Sequence, residues 1–316
     1  MQPHDQDKYE RLSLADKMLL EYKSILYKEK IQEDEALTRA LECLYIPFCA
    51  WLVSQIKDKP LIVGINGAQG SGKSTLTKII GALLEIGFNK KVVSFSIDDL
   101  YKTREQRYKL ASDIHPLLAT RGVPGTHDAK LGIDILTQLV SKSDFVLSIP
   151  VFDKSMDDRL PESLWNRVRG RCDIVLFEGW CVGSIAEDEQ ALETPINLLE
   201  DIDDSARIWR TYVNQQLAAD YAELFSFIDV LVQLKIPDFS KVFEWRKLQE
   251  QKLKAAMVDS QSMIDMTMSE SDIERFIMHY ERITRHTLEE MPTRANVVME
   301  LGDDHRVSNV ILRSEI

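Results

Sequence analysis

Leu61-Ile62-Val63-Gly64-Ile65-Asn66-Gly67-Ala68-Gln69-Gly70-Ser71-Gly72-Lys73-Ser74-Thr75 is the stretch whose reading decides the fold. Its first five residues make a short apolar run, which suits a strand covered on both faces. Residues 67–74 satisfy G-x-x-x-x-G-K-[ST], the Walker A pattern, and Leu76, Ile79, Ile80 and Leu83 then recur at helical spacing. Strand, loop and helix in that order turn a pattern into a mechanism. The glycines let the backbone wrap around phosphate oxygens with its N–H groups turned inward. The helix N-terminus adds positive potential there. Gly67, Ala68, Gln69, Gly70, Ser71, Gly72, Lys73, Ser74 and Thr75 are thus expected to hold the phosphates of ATP. Lys73 is expected at the β- and γ-phosphates, and the Ser74 hydroxyl on Mg²⁺.

Outward from this loop, apolar runs alternate with helical patterns. Candidate strands cover 61–66, 91–97, 145–151, 173–177, 229–235, 296–301 and 307–312. Helical stretches cover 74–84, 206–224, 242–257 and 270–288. The alternation predicts a P-loop α/β/α sandwich of three layers with a mainly parallel sheet. Residues 61–316 would form that domain. Residues 1–60 read as an N-terminal helical extension, with Ser13 and Asp16 at capping-box spacing and Pro47 set to kink or split a helix over 35–56.

Composition bounds the function. The 316 residues are 44% hydrophobic and 28% charged, with a formal charge of −12. There is no basic tract, which argues against nucleic acid as the main partner. No run of about 18 apolar residues stands out, so no membrane span is expected. The first ten residues lack the basic and apolar regions of a secretory signal. Cys43, Cys49, Cys172 and Cys181 form no CxxC pair, which suits reduced thiols in a cytoplasmic protein.

Two acidic sites follow the loop. Ile174-Val175-Leu176-Phe177-Glu178-Gly179-Trp180 ends an apolar strand in one carboxylate, placed where open α/β sheets bind ligands; Glu178 is expected to hold Mg²⁺. Ser96-Ile97-Asp98-Asp99-Leu100-Tyr101 closes the strand after the P-loop helix. Phosphoryl transfer needs a carboxylate to take the proton of the attacking hydroxyl, and Asp98 is expected to be that base. Asp99 is read as a supporting or Mg-linked group. No guanine-type N/T-K-x-D motif is present, since Asn89-Lys90-Lys91-Val92 lacks the Asp.

Ser96-Ile97-Asp98-Asp99-Leu100-Tyr101 resembles the S-x-D-x-F-Y signature of the uridine kinase, phosphoribulokinase and pantothenate kinase group, in which the Asp at the position of Asp98 is the base. Further segments are similar to D-glycerate 3-kinases of plant type and their yeast and bacterial relatives. They are Arg121-Gly122-Val123-Pro124-Gly125-Thr126-His127-Asp128, Pro150-Val151-Phe152-Asp153-Lys154-Ser155, the strand ending at Glu178, Val242-Phe243-Glu244-Trp245-Arg246, and Met268-Ser269-Glu270-Ser271-Asp272 with Phe276 and Tyr280. The ordered set runs from about residue 61 to the C-terminus. It departs from the family after Lys154, where Met156-Asp157-Asp158-Arg159 replaces a longer glycine-rich stretch. The resemblance implies ATP-dependent phosphorylation of D-glycerate or a similar hydroxy acid. It implies an acceptor site at Asp98, Tyr101, Arg121, Gly125, His127, Lys154 and Arg159, in which the cations fix a carboxylate while Gly122 and Gly125 allow close backbone approach. Arg246 would stand on a helical lid over the transferring phosphoryl group, with Trp245 packing beside it. Asp128 would cap the following helix. A kinase of pantothenate, a nucleoside or a sugar phosphate is the nearest alternative, and a P-loop ATPase or nucleotide-dependent regulatory protein the alternative of another class.

Overall fold

A computed structural model describes residues 12–141, 144–259 and 269–313. Residues 1–10, Met268 and the side chains of Lys252 and Lys254, expected on a solvated face, lie outside the described residues. In chain order the elements are α1 (Leu14–Lys28), α2 (Glu35–Ala40), α3 (Ile46–Ser54), β1 (Leu61–Gly67), α4 (Lys73–Phe88), β2 (Val92–Ser96), α5 (Arg104–Asp113), α6 (Ala129–Leu139), β3 (Val146–Ile149), β4 (Phe152–Asp153), β5 (Asp158–Arg159), β6 (Asn166–Arg169), β7 (Ile174–Gly179), α7 (Ile208–Ala218), α8 (Asp220–Phe225), β8 (Val230–Lys235), α9 (Ser240–Asp259), α10 (Glu270–Glu290), β9 (Val297–Leu301) and β10 (Val307–Leu312).

Six strands form the central sheet in the order β10-β9-β8-β1-β7-β2. All neighbours pair in parallel except β10, which runs antiparallel to β9 at the edge. Successive side chains of a strand point to opposite faces. Leu61, Val63 and Ile65 of β1 and Ile174 and Leu176 of β7 therefore enter one apolar core, with α1, α3, α4 and the starts of α9 and α10. Ile62, Val175 and Phe177 enter the other, with α6, α7 and α8. Two cores flanking one sheet are the three layers expected from the alternation.

Three sequence expectations need correction. The strand over 145–151 forms as β3 but stays out of the central sheet, pairing antiparallel with β6. β6 is Asn-Arg-Val-Arg, largely exposed, with no apolar run to announce it. The single helix expected over 206–224 is two. Its start is delayed by Arg207 at φ +63°, and it breaks at Ala219. The buried Asp204 carboxylate caps α7, accepting from Trp209 N at 2.8 Å and Arg210 N at 3.1 Å.

The third concerns the N-terminal helices. Glu35–Ser54 has the length and mean hydropathy of a membrane-crossing helix, so such a stretch does exist. Within it, Leu41, Phe48, Cys49 and Leu52 are buried in the core that surrounds β1 and α4. Pro47 has no N–H to offer and crowds the preceding turn. The expected irregularity takes the form of a π-turn over Leu41–Tyr45, directly before α3. Ser13 caps α1 by accepting from Asp16 N.

Because Leu52 is fully buried against the P-loop helix layer, Leu52→Ala should destabilise the whole domain by about 2–5 kcal/mol. Urea unfolding followed by far-UV and near-UV circular dichroism should give one coincident transition at lower midpoint. An unchanged main transition would mean that the N-terminal helices fold apart from it.

Candidate active site

The phosphate loop leaves β1 at Gly67 and enters α4 at Lys73. Gly70 (φ +81°) and Gly72 (φ +84°) adopt the left-handed backbone that makes the loop possible. A Cβ on Gly70 would meet Trp245 Cβ at 2.9 Å, so the start of α9 lies directly on the loop. Asn66 braces it from beneath, its buried amide donating to Trp180 O at 3.1 Å and Val182 O at 2.9 Å. The strand that leads into the loop and the turn after β7 are thereby tied together.

Strand register brings the acidic residues to the same edge. On β7, Glu178 is level with Ile65 of β1 and Ser96 of β2. Ser74 Oγ donates to Glu178 Oε1 at 2.9 Å. Glu178 Oε2 is buried and has no hydrogen-bond partner among the described residues. A hydroxyl and a carboxylate oxygen at the mouth of a phosphate loop fit Mg²⁺, which keeps waters and takes its other ligands from phosphates. Accordingly, no cluster of three or more His, Cys, Asp or Glu side chains forms a complete metal cage among the described residues. Asp99, expected beside the metal, is turned to the backbone. Ser96 and Asp99 form a capping box on the 3₁₀ turn Ile97–Leu100, and Asp99 accepts from Ser96 N at 3.1 Å and Phe152 N at 3.4 Å. Burial, with Asp98 and Glu178 nearby, holds its carboxyl above the usual range.

Asp98 is half-buried and ion-paired with Lys154, 2.7 Å away. Burial alone would raise its pKa; the charge and hydrogen bond of Lys154, with Lys73 behind them, outweigh burial and hold the carboxyl below the usual range. Lys154 comes from the turn of the β4–β5 hairpin. The same turn carries Asp157, which binds Arg121 and, at 2.6 Å, the fully buried Arg107. Both guanidinium groups lie over the Phe152 ring, at 5.5 and 5.7 Å. Arg121 meets Asp157 through Nη1, which leaves Nη2 and Nε to other partners.

Two expected acceptor-site cations do other work. Arg159 donates from Nε and Nη2 to Tyr101 O at 3.0 and 2.7 Å, reaches Leu100 O at 3.1 Å, and pairs with Asp128 at 3.5 Å. It pins the hairpin to the turn that bears Asp98 and is spent as scaffold. His127 is 1% exposed and burial pushes its pKa down to about 3, so it is neutral and no clamp for a carboxylate. Its ring stacks on Tyr101, 4.3 Å between centroids at 19°. Tyr101 is itself buried against the edge of Phe152.

The glycines of this loop accommodate protein aromatics. A Cβ on Gly122 would meet Tyr280 Oη at 2.4 Å, and one on Gly125 (φ +98°) would meet Tyr212 Cε1 at 2.5 Å. Trp180 Nε1 donates to Gly122 O at 3.1 Å and packs edge-on to Tyr280 at 4.8 Å. Asp128 caps α6 as expected, accepting from Leu131 N. Arg246 pairs with Glu250 one turn along α9 and lies 5.6 Å over the Phe276 ring. Asn66, Arg107, Asp157, Tyr221 and Tyr280 went unremarked as site residues in the sequence. Each acts through a partner distant in the chain, a relation that local spacing does not encode.

The uncharacterized kinase mug58 of Schizosaccharomyces pombe is 37% identical over 252 residues, 76% of this chain and 86% of that protein. This chain belongs to the P-loop kinases that include D-glycerate 3-kinase, pantothenate kinase and uridine kinase. The chloroplastic D-glycerate 3-kinase of Arabidopsis thaliana is 31% identical over 255 residues, 75% of this chain but 52% of that longer protein. Among solved structures, D-glycerate 3-kinase from Cryptococcus neoformans superposes with a TM-score of 0.70 at 25% identity, over 89% of this chain and 100% of that one. No family model matches the chain.

Removing the Lys154 cation leaves burial as the larger influence on Asp98, so its pKa rises and it stays protonated to higher pH. In Lys154→Met the acid limb of the kcat/KM profile for the acceptor is expected to move to higher pH. An acid limb that stays where the wild-type profile has it would disconnect Asp98 from the rate.

Proposed function

We propose that this P-loop kinase transfers the γ-phosphoryl group of Mg·ATP to the terminal hydroxyl of D-glycerate, giving 3-phosphoglycerate. The observation that carries the reading is the Asp98–Lys154 pair at the phosphate edge of the sheet, with Arg121 held by Asp157 of the same hairpin turn. Three charged groups suffice for a small hydroxy acid. Arg121, with Nη2 and Nε, receives the carboxylate. Asp98 receives the proton of the reacting hydroxyl. Lys154, exchanging its partner, follows the charge that moves onto the transferred group.

In the reaction, the acceptor oxygen forms its bond to the γ-phosphorus while its proton passes to Asp98. The bond from that phosphorus to the β,γ-bridging oxygen breaks, and ADP leaves. Lys73 and the loop N–H groups face the charge that spreads over the phosphoryl oxygens, which is where preorganised donors lower the barrier. Ser74 and Glu178 would hold Mg²⁺, which neutralises phosphate charge when bound. Arg246, near the start of α9, would turn to the phosphoryl group as α9 closes. The named relatives support the acceptor: two that are similar over most of this chain are D-glycerate 3-kinases.

An ADP-release assay across D-glycerate, L-glycerate, pantothenate and uridine tests the reading, with D-glycerate expected to give the highest kcat/KM. Preference for pantothenate or uridine would leave the kinase and remove the acceptor. Asp98→Asn should lower kcat by about 10²- to 10⁴-fold while nucleotide affinity is retained. Arg121→Ala should raise the KM for D-glycerate at least about tenfold, the loss of one hydrogen bond to a charged group, and leave the KM for ATP almost unchanged. Equal KM changes for both substrates would make Arg121 a structural partner of Asp157.

A further inference from the structure

His127 carries more information than its burial. Tyr221 Oη lies 2.6 Å from His127 Nδ1, and it also receives two backbone N–H groups, Gly125 N at 3.0 Å and His127 N at 3.3 Å. A phenol has two lone pairs and one proton to give. With both lone pairs taken by N–H donors, the phenol proton goes to Nδ1. Nδ1 is then an acceptor, and the single proton of the neutral ring sits on Nε2.

That Nε2 is buried and has no hydrogen-bond partner among the described residues. A buried donor left unpaired costs the full desolvation of the group, so its persistence needs a reason. Its position supplies one. The ring is stacked on Tyr101, which closes the turn that bears Asp98, and the two residues also pair across an isolated β-bridge. Tyr221 comes from α8, 94 residues away in sequence, and is itself fully buried. The ring is therefore held from behind, with no freedom to present the other nitrogen.

We infer that His127 is a neutral hydrogen-bond donor to the acceptor substrate, giving Nε2–H to the hydroxyl that is not phosphorylated, and that Tyr221 is the positioning residue that sets this tautomer. The inference rests on the hydroxy-acid reading above. In such an acid the carboxylate belongs to Arg121 and the reacting hydroxyl to Asp98. The neighbouring hydroxyl is the polar group left over, and it needs a donor beside the base. A neutral donor suits that place better than a cation. An imidazolium there would pair with Asp98 and weaken it as a proton acceptor; a neutral N–H binds the oxygen and leaves the base intact.

The test compares D-glycerate with 3-hydroxypropionate, which lacks the non-reacting hydroxyl, in full-length wild type, His127→Gln, His127→Asn, His127→Ala and Tyr221→Phe. A Gln amide reaches the Nε2 position, and an Asn amide reaches only the Nδ1 position. Wild type should favour D-glycerate by about tenfold in kcat/KM, the contribution of one well-placed hydrogen bond. His127→Gln should keep much of that preference, and His127→Asn and His127→Ala should lose it. The ratio is internal to each variant, so partial misfolding does not confuse it. ¹⁵N NMR of histidine-labelled protein should show His127 with a protonated Nε2 and an unprotonated Nδ1 in wild type, and a mixture in Tyr221→Phe. An unchanged preference in His127→Ala, or a wild-type ring protonated on Nδ1, overturns the inference. Wild type that phosphorylates neither acid overturns the acceptor reading instead, and the NMR tautomer alone then decides the role of Tyr221.

Discussion

Parallel pairing sets β1, β7 and β2 level, so that Ile65, Glu178 and Ser96 stand side by side near the C-terminal edge of the sheet. Everything chemical depends on that alignment. The phosphate loop begins two residues after Ile65. Glu178, next to the last residue of its strand, accepts from Ser74. Asp98 lies two residues beyond Ser96. A register slip of one residue would turn each strand's core side chains to the opposite face, and both apolar cores forbid it. Burial of Val175 and Phe177 on one side and of Ile174 and Leu176 on the other is thus what holds Glu178, Lys73 and Asp98 at one edge.

The proposed acceptor side follows a different rule. It is assembled from charges that are already compensated. The β4–β5 hairpin brings Lys154 to Asp98 and Asp157 to Arg107 and Arg121, while Arg159 fastens its base to the backbone of the Asp98 turn. A substrate that carries both a hydroxyl and a carboxylate can exchange partners with these pairs without leaving a charge alone in a half-buried place, where an unpaired ion is costly. The shortened loop after Lys154 still supplies a cation, an anion and a tether within six residues.

The sequence reading reached the fold because parallel strands buried on both faces appear as continuous apolar runs, and six of the seven candidates lie in the central sheet. It misplaced β3 because β6, its partner, is polar and exposed and leaves no such trace. The strand–loop–helix shape around Gly67–Lys73 was legible, since its backbone signals lie in one contiguous segment. The proposed acceptor site was legible only as a set of residue types. Arg159 and His127 read as cations in the chain; only the fold reveals that one is consumed by carbonyls and that burial has discharged the other. Tyr221 and Asn66 gave no signal, because a hydrogen bond across about a hundred residues has no local pattern.

The central claim is that the γ-phosphoryl group ends on an organic hydroxyl and not on water. ³¹P NMR of the wild-type protein turning over ATP with D-glycerate tests it directly. The account expects the γ-phosphorus to appear as a phosphomonoester of the terminal hydroxyl, in step with ADP, and ATP consumption to fall away when the acid is omitted. Inorganic phosphate released at the same rate with or without the acid would contradict it, and would make the chain an ATPase built on a kinase fold.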